Sequence, residues 1–577
     1  MRKFLLGILA GLIIAVVTGV VLMFSVIRFS KREPEAPKVA WLSLRLEGEL
    51  PEAPPMAAPF PGLEDRTPLT VAEVWSTLRR AARDPSIRGV MLKPRGLAAG
   101  WGKLDEIRQG IAAVRKAGKP VYAWLATPGM REYYVAAGAD RIFLSPEDLI
   151  DMKGMRIEAS YFKGTLDKIG VEVEVEHVGK YKDAGDVFSR TSMTPETREA
   201  LNSILDDLFP RLCDAIGRGR KMKPEQVRAM LDDGPFLAPK AKENGLIDEL
   251  LYEGDADQQL AKKSQVEVGQ SISARAYIQT SGGRQRKARD IAYLVASGDI
   301  LRGSAANLFG EDRSINPHGI TRQLNLIASD PGIRGVILRV DSPGGDAIAS
   351  DEILAELKKF AQKKPMVISM GDVAASGGYY IAMTGDPIIA YPGTLTGSIG
   401  VIYGKVNLKG LYDKIGMSKE ILKRGRFADI DSDYQKLSPE GRAKLRESLQ
   451  FIYDGFLQRV AAGRKKTPAE IEPLAQGRVW LGSQAKERKL VDELGGLDRA
   501  LEILRKQASL SEDEPLRLVI FPARKSLWEQ LLSRSGGDAS AGAESEASIL
   551  LRQLPAGVAP WLTGGVLRVM PYHLEFR

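Results

Sequence analysis

The feature that most constrains the fold is a long internal repeat. Residues 83–92 read RDPSIRGVML and residues 329–338 read SDPGIRGVIL, an offset of 246 positions (329 against 83). Further matches are Asp105 with Asp351, Tyr133-Tyr134 with Tyr379-Tyr380, and, at an offset of 244, Ala241 with Ala485 and Asp248 with Asp492. A nearly constant offset over about 160 residues indicates a tandem duplication, with a period too long for a solenoid.

Each copy alternates short apolar segments with amphipathic ones. In the second copy this pattern predicts strands at residues 336–340 and 366–370, and helices at residues 351–362 and 378–383. Alternating strands and helices favour an α/β fold with mostly parallel pairing. The sequence therefore predicts two related α/β units in tandem.

The composition of the segments around the repeat predicts the domain boundaries. The predicted parts are an N-terminal segment 1–32, a first unit 38–265, a connector 266–289, a second unit 290–510 and a C-terminal extension 511–577. The connector is polar and rich in Gly, Ser, Lys and Arg, and residues 535–548 form a Gly/Ala/Ser/Glu linker inside the extension. The apolar tail after that linker gives no indication of a role.

An uncharged run of 24 residues, 4–27, follows Arg2 and Lys3. At about 1.5 Å per residue, a helix of this length reaches roughly 36 Å and can span a bilayer. We find no convincing cleavage site for a signal peptide, so we expect a single uncleaved transmembrane anchor. Basic residues on both sides of the run balance each other, and charge alone leaves its orientation open.

Composition excludes several classes of site. Cys213 is the single cysteine, which rules out an internal disulfide and a thiolate metal cluster. The chain has only three histidines, so we expect no histidine-rich metal site and no cofactor. The net charge of +9 is spread along the chain and is weak evidence for nucleic acid, so we expect no such partner.

Ser376 lies in the stretch SMGDVAASGGYY, residues 369–380, where a predicted strand meets a predicted helix. Such a serine can be a nucleophile beside free backbone N–H groups, or it can simply cap the helix. The second unit also carries DSPGG at residues 341–345, and Ser398 in the motif TGSIG. The first unit has Pro94-Arg95-Gly96, Met130 and Met152 at the corresponding positions, so it lacks these polar groups.

A serine nucleophile needs a base, and lysine can serve if burial lowers its pKa from about 10.4 towards 7 or 8. Lys182 is a candidate because its counterpart in the second unit is Ala428. The alternative is that Lys182 is an exposed loop lysine, as most lysines are. His177 continues an alternating run of valines, which predicts a packed core histidine rather than a catalyst.

Four motifs together resemble one known family. They are AASGGY at residues 374–379, DSPGG at 341–345, TGSIG at 396–400 and GKYK at 179–182. They resemble signal peptide peptidase A, also called protease IV, in its long, duplicated, membrane-anchored form, and the resemblance covers roughly residues 1–510. It implies a serine endopeptidase with a serine–lysine dyad, a fold similar to Clp protease and the crotonases, and degradation of cleaved signal peptides.

The resemblance also implies roles for individual residues. Ser376 would be the nucleophile and Lys182 the general base. The backbone N–H groups of Gly345 and Gly377 would form the oxyanion hole, where glycine lets the backbone approach the substrate closely. Ser398 would help to position the lysine amine. Because the serine and the lysine lie in different units, the dyad must form across an interface, within one chain or between chains.

Further implications concern assembly and location. The family forms ring-like tetramers, and its members lie in the bacterial inner membrane as single-pass proteins with the catalytic part on the periplasmic side. Peptides would be the substrates, and residues 4–27 would contact the membrane. Asp183 follows the lysine where the family usually has serine, and a carboxylate near the amine would raise the lysine pKa. We therefore expect Asp183 to point away from the amine.

Two other functions are compatible with parts of the sequence. One is a crotonase-type acyl-CoA hydratase or thioesterase, which uses two backbone N–H groups but needs no serine nucleophile, duplication or anchor. The other is an inactive membrane scaffold. Labelling of Ser376 by a fluorophosphonate would support only the peptidase.

Overall fold

The structure is a computed structural model that describes residues 38–55, 67–280, 288–303, 314–523 and 565–570, together with Gly11 and Thr18. Apart from those two residues, the expected anchor 4–27 lies outside the described residues, and so does the linker 535–548. In the part of the chain that is described, no helix has the length and apolar character needed to cross a bilayer.

The first unit is built around a parallel sheet. Its elements are β1 (Ala40–Glu47), α1 (Val71–Arg83), β2 (Ile87–Arg95), α2 (Trp101–Lys116), β3 (Val121–Leu125), α3 (Met130–Ala136), β4 (Arg141–Leu144), β5 (Leu149–Ile150), α4 (Lys163–Ile169), β6 (Glu172–Val178), α5 (Asp186–Ser189), α6 (Pro195–Arg220), α7 (Pro224–Asp233), β7 (Phe236–Leu237), α8 (Ala238–Glu243), β8 (Glu249–Leu250), α9 (Glu253–Ser264), β9 (Ser271–Ser273) and α10 (Ala274–Gln279).

The second unit repeats this plan. Its elements are β10 (Arg289–Ser297), α11 (Pro317–Ser329), β11 (Ile333–Ser342), β12 (Gly344–Asp346), α12 (Ala347–Ala361), β13 (Met366–Ala375), α13 (Gly377–Ile381), β14 (Ile388–Ala390), β15 (Leu395–Gly397), β16 (Val401–Asn407), α14 (Lys409–Ile415), α15 (Pro439–Arg464), α16 (Pro468–Ile471), a 3-10 turn (Glu472–Leu474), β17 (Val479–Leu481), α17 (Gly482–Glu487), β18 (Glu493–Leu494), α18 (Leu497–Gln507) and β19 (Leu516–Phe521). The C-terminal extension adds β20 (Gly565–Val569).

The two central sheets have the same strand order. The first runs β8-β4-β3-β2-β1-β9, and the second runs β18-β14-β13-β11-β10-β19, with β15 also beside β13 and β17 beside β15. Every neighbouring pair in these two orders is parallel. The central strands β2 and β11 are buried along most of their length, as expected for parallel strands covered on both faces. The predicted duplication of an α/β unit is confirmed.

Side-chain packing is duplicated as well. Tyr133 and Tyr379 are both fully buried, and their hydroxyls donate 2.7 Å hydrogen bonds to the carbonyls of Leu246 and Leu490, respectively. The helices α6 and α15 both have 26 residues, with proline at the first position and a threonine or serine cap before it. The duplication therefore extends from strand order to individual hydrogen bonds.

Both units are longer than the composition predicted. Strand β9 pairs with β1 inside the expected connector 266–289, and Tyr277 in α10 donates a 2.8 Å hydrogen bond to Asp84. The first unit therefore continues to Gln279 rather than ending at residue 265. In the same way, β19 pairs with β10 beyond residue 510. In β9 only Ile272 is buried, whereas β19 packs Leu516, Leu518 and Ile520 against a core cluster of the second unit.

A third sheet, in the order β12-β20-β16-β6, joins the two units. Strand β6 of the first unit pairs antiparallel with β16 of the second, from Val178 opposite Val401 to Glu172 opposite Asn407. This pairing brings the segment after β6 beside the segment that precedes β16. The segments concerned contain Lys182 and Ser398.

The prediction for His177 is wrong. His177 is exposed, whereas Glu174 and Glu176 on the opposite face of β6 are buried. Helix α15 of the second unit covers that face, and its Arg442 and Arg446 lie 3.0 Å from Glu174 and 2.8 Å from Glu176. Buried carboxylates are tolerated when they are paired in this way. The valines of β6 therefore do not mark its most buried face.

Candidate active site

Ser376 lies between the last residue of β13 and the first residue of α13, as the sequence predicted. Its φ of 53° is in the left-handed region, which costs a residue with a side chain about 1–3 kcal/mol and is typical of functional sites. The serine N–H donates to Gly397 and the serine carbonyl accepts from Tyr380, both at 2.8 Å. Ser376 is fully buried, so the surrounding backbone holds its hydroxyl in one place.

Lys182 follows β6 and points into the second unit. Its Nζ lies 2.8 Å from Ser376 Oγ, 2.8 Å from Ser398 Oγ and 2.9 Å from the Ser398 carbonyl oxygen. All three side chains are fully buried. The structure therefore brings together, within one chain, the three side chains that the motifs singled out.

The contacts of the lysine amine have the geometry that a neutral amine needs. A neutral amine has two N–H donors and one lone pair. Nζ donates to both oxygen atoms of Ser398 and to Ser376 Oγ; in a neutral amine the Ser398 contacts would use the two donors and the Ser376 hydroxyl would donate to the lone pair. Burial disfavours the charged form of an amine, and only the neutral form can accept a proton.

Two glycines that sequence reasoning did not single out enclose the stem of Lys182. A Cβ atom at Gly400 would lie 3.0 Å from the lysine Cδ, and one at Gly477 would lie 2.5 Å from the lysine Cβ. Any larger residue at Gly477 would have to displace the base. Gly400 belongs to the TGSIG motif, whereas no motif marked Gly477.

The loop that carries Gly477 connects Lys182 to Ser398. Gln476 accepts a 2.8 Å hydrogen bond from the N–H of Tyr181, the residue before the base. Arg478 accepts a 2.7 Å bond from the N–H of Ser398. The loop therefore fixes Lys182 relative to Ser398 although its residues are nearly 300 positions from the lysine (477 against 182).

The glycine-rich loop lies against the segment of Ser376. A Cβ atom at Gly377 would lie 3.1 Å from Gly344 Cα and 3.2 Å from the nitrogen of Gly345. Gly345 has a φ of 153°, and a Cβ atom there would lie 2.0 Å from the carbonyl oxygen of Ile300. The backbones of Gly345 and Gly377 are thus neighbours, and both approaches require glycine.

Asp183, which stands where the family usually has serine, is also buried. Its carboxylate accepts a hydrogen bond from the hydroxyl of Thr197 in the first turn of α6. Its carbonyl accepts from the N–H of Asp186 at 2.9 Å. Burial and the neighbouring Asp183 raise the pKa of Asp186 above its ordinary value. The Asp183 carboxylate is therefore engaged with α6.

A strand of the C-terminal extension lies beside the glycine loop. In β20, Arg568 pairs with Gly345 and Leu567 pairs with both Asp346 and Ile402. The N–H of Met570 donates a 2.8 Å hydrogen bond to Pro343. An extended segment of this chain therefore occupies the groove between the glycine loop and β16.

The first unit has packing residues at the equivalent positions. Met130 and Met152 are buried in its apolar core, where Ser376 and Ser398 have their counterparts. No polar contact of the kind made by Lys182 can form with these side chains. The polar site thus belongs to the second unit, completed by one lysine of the first.

Comparison with known proteins gives a consistent result. The model of peptidase family S49 matches residues 113–267 and 358–511, one stretch in each unit and more than half of the chain together. Serine protease SPPA, chloroplastic, of Arabidopsis thaliana is 33% identical over 474 residues, which are 81% of this chain and 70% of that protein. Protease 4 of Salmonella typhi is 34% identical over 461 residues, covering 76% of this chain and 72% of its own length.

A shorter relative matches a single part of the chain. Putative signal peptide peptidase SppA of Enterococcus faecium is 36% identical over 225 residues, which are 39% of this chain and 65% of that protein. The resemblance that the four motifs indicated is confirmed, and nothing in these matches supports a crotonase-type activity. The chain therefore belongs to peptidase family S49 and is a serine peptidase.

Proposed function

We propose that this chain is a membrane-anchored endopeptidase that uses Ser376 as nucleophile and Lys182 as general base. The observation that carries the proposal is the 2.8 Å distance between Lys182 Nζ and Ser376 Oγ in a fully buried site. A nucleophile and a base within hydrogen-bond distance, with the base held by a third group, form the minimum arrangement for covalent catalysis. Here Ser398 is the third group.

The reaction proceeds in two steps. In the first, the neutral amine of Lys182 takes the hydroxyl proton as Ser376 Oγ attacks the peptide carbonyl carbon. The N–H groups of Gly345 and Gly377 donate to the resulting oxyanion. When the C–N bond breaks, the lysine ammonium gives its proton to the leaving amine and an acyl-enzyme remains. In the second step, Lys182 takes a proton from water as the water oxygen attacks the ester carbon. When the ester C–O bond breaks, the lysine ammonium returns the proton to Ser376 Oγ, and the peptide acid is released.

The substrate peptide binds as an extended strand. This mode is supported by β20, which pairs antiparallel with Gly345 on one side and with Ile402 on the other. A peptide in the same position would have its backbone held by main-chain hydrogen bonds, and side-chain pockets would set the preference for sequence. It would also pass directly beside the proposed oxyanion hole.

We further propose that cleaved signal peptides are the natural substrates and that residues 4–27 anchor the chain in the bacterial inner membrane, with the catalytic part on the periplasmic side. One relative is named a putative signal peptide peptidase. A bilayer anchor would raise the local concentration of peptides that stay in the membrane after cleavage. The apolar run of 24 residues supports such an anchor.

A ring-like tetramer is also proposed, and an asymmetry in the third sheet supports it. Strand β6 corresponds by the repeat to residues 418–424, and β16 corresponds to residues 155–161. Neither counterpart forms a strand in the described structure, although Ile157 makes an isolated bridge. Within one chain the first unit is joined to the second by β6 and β16, and the equivalent joint requires another chain. Repetition of such head-to-tail joints closes a ring.

Two measurements test the proposed function. A fluorophosphonate should modify Ser376 in the wild type, and prior replacement of Lys182 by alanine should suppress the modification. Incubation with a synthetic signal peptide should give internal cleavage products in mass spectrometry. Modification at another serine, or products that persist in the Ser376→Ala variant, would contradict the assignment.

A further inference from the structure

A cluster of buried charges lies behind the active site, at the junction of the two units. Lys103, in the first turn of α2, extends from the first unit into the second. Its Nζ lies 2.7 Å from Asp341 Oδ2 and 3.7 Å from Asp372 Oδ2. The side chains of all three residues are between 12% and 14% exposed, so one ammonium group is shared by two carboxylates almost out of contact with water.

Both carboxylates are also bonded to backbone. Asp372 accepts from the N–H groups of Gly100 and Lys103, at 2.7 and 2.8 Å, and so occupies the N-terminus of α2. Asp341 accepts a 3.0 Å bond from the N–H of Val373 in the neighbouring strand. A Cβ atom at Gly100 would lie 2.5 Å from the Asp372 carboxyl carbon, which shows how closely the helix end approaches the second unit.

The positions of these carboxylates in the chain connect them to catalysis. Asp341 is four residues before Gly345, and Asp372 is four residues before Ser376. Their strands β11 and β13 are adjacent and are still paired at Ser342 opposite Ala374, where the register shifts. A change in the distance between the two carboxylates would therefore move the proposed oxyanion hole relative to the nucleophile.

Other charged groups face the cluster. Glu52 Oε1 lies 3.9 Å from Lys103 Nζ and 2.8 Å from Arg339 Nη2, and Arg339 is fully buried. The remaining titratable groups that interact with these residues are Asp105, Glu106, Tyr293 and Tyr391. Arg339 and Glu52 satisfy each other, so Lys103 remains the close cation for Asp341 and Asp372.

The pKa shifts follow from this arrangement. Burial opposes the charge on Lys103, but Asp341, Asp372 and Glu52 together raise its pKa above the ordinary value. Burial would raise the pKa of Asp341, yet Lys103 holds it below its ordinary range. For Asp372, burial raises the pKa and Lys103 offsets only part of the effect. Without Lys103, two buried carboxylates would repel each other, and one of them would bind a proton.

We propose that Lys103 is a positioning residue for the peptidase reaction, because its ammonium group holds Asp341 beside Asp372 and so sets the distance from Gly345 to Ser376. The proposal rests on the function assigned to Ser376, Lys182 and the two glycines. Lys103 contacts neither substrate nor the reacting atoms. The first unit thus contributes one lysine as base and a second lysine that aligns the catalytic segments of the other unit.

The test is the Lys103→Met variant of the full chain, assayed with a small peptide between about pH 5 and 9. We expect kcat to fall roughly 10- to 100-fold with little change in KM, because misplacement of reacting groups affects the transition state most. The ratio of variant to wild-type kcat should be higher at low pH, where one carboxylate is protonated and the repulsion is relieved. Lys103→Arg should restore part of kcat.

Lys93 provides a matched control. It is a buried lysine of the first unit, on β2, and its Nζ lies 2.8 Å from Glu253 and 2.9 Å from Asp257, remote from the two strands that lead to the active site. Lys93→Met should lower the denaturation midpoint and leave kcat unchanged. Equal kcat losses in both variants, or a Lys103→Met ratio that does not change with pH, would overturn the positioning role.

A second variant covers the case in which Lys103→Met does not fold. Lys103→Met combined with Asp372→Asn leaves a single charged carboxylate and should fold, with a kcat above that of Lys103→Met wherever both can be measured. If the double variant folds but its kcat ratio to wild type still falls with rising pH, the repulsion argument is wrong. Loss of activity in Ser376→Ala alongside wild-type kcat in Lys103→Met would refute only the positioning role, whereas an active Ser376→Ala would refute the proposed function itself.

Discussion

The two units of this chain share a fold but have different side chains at the positions that form the candidate site. Strand order, helix length and the buried tyrosine hydrogen bond are the same in both. Yet the first unit has Met130 where the second has Ser376, and the second has the exposed Ala428 where the first has the buried Lys182. The residues that pack the core are therefore shared by both units, whereas the two residues of the proposed dyad come from different units.

This division explains why the contact between the units is so polar. Arg339 of the second unit is fully buried and is paired with Glu52 of the first at 2.8 Å, and Glu174 and Glu176 of the first are paired with arginines of α15. Replacement of one partner in any of these pairs would leave a buried charge unpaired, which typically costs about 3–5 kcal/mol. The units therefore act as a single catalytic body.

Replacement of Ser376, the proposed nucleophile, should have the largest effect. Ser376→Ala should lower kcat by several powers of ten, because removal of a catalytic nucleophile leaves only residual stabilisation of the transition state. The matched variant Met130→Ser, in the first unit, should leave kcat unchanged and lower the denaturation midpoint, since it puts a hydroxyl into an apolar core. Comparable kcat losses in the two variants would mean that the units are not functionally distinct.

Replacement of Lys182, the proposed base, should lower activity nearly as much. Lys182→Ala should reduce kcat by roughly 10³- to 10⁴-fold and leave a residual rate that rises with pH, because hydroxide can replace part of the base. The reciprocal variant Ala428→Lys adds an amine at an exposed position and should not alter kcat. A Lys182→Ala enzyme with a wild-type pH profile would direct the search for the base elsewhere in the second unit, to Lys405 and Lys423.

Alanine variants of Gly179 and Gly425 allow the effect of a steric clash to be distinguished from that of an unfavourable φ angle. They correspond in the repeat and have similar φ angles of 111° and 97°. A Cβ atom at Gly179 would lie 2.5 Å from the backbone of Gln476, whereas one at Gly425 meets nothing within 4 Å. Gly179→Ala should shift the loop beside Lys182 and lower kcat roughly 10- to 100-fold. Gly425→Ala should only lower stability, by about 1 kcal/mol; equal kcat values for the two variants would show that this loop does not position the base.

The parts of the candidate site that could be predicted from the sequence are those that lie in short motifs. Ser376, Ser398 and the glycine loop each lie in a local pattern whose meaning depends on a few neighbours. The approach of Lys182 depends instead on the pairing of β6 with β16, more than 200 positions apart (401 against 178). No periodicity in β6 indicates that partner.

The error at His177 has a related cause. Alternating valines in β6 predict an apolar buried face, but α15 provides arginines that neutralise the glutamates on the other face. Ion pairs between residues about 270 positions apart are not visible in a local pattern. The same limit concealed the role of the loop at Gly477 and the pairing of β20.

The smallest expected effect concerns stability, and it again compares equivalent residues. Asp105 and Asp351 correspond in the repeat, and each accepts a hydrogen bond from a tyrosine, Tyr134 or Tyr380. Burial raises the pKa of Asp105 to about 6, against an ordinary value of 3.8, although Tyr134 and Arg108 oppose the shift. The folded chain therefore binds a proton at this site at a pH where the unfolded chain has released it.

The raised pKa of Asp105 makes the free energy of unfolding depend on pH. Between about pH 4 and 6 the native state holds more protons at Asp105 than the unfolded state, so the free energy of unfolding should fall as pH rises through this range. Asp105→Asn removes the titrating group. The unfolding free energy of the wild type minus that of the variant, measured by urea denaturation, should therefore fall by roughly 1–2 kcal/mol as the pH rises through this range. A wild type whose stability changes with pH no more than that of Asp105→Asn would contradict the raised pKa of Asp105.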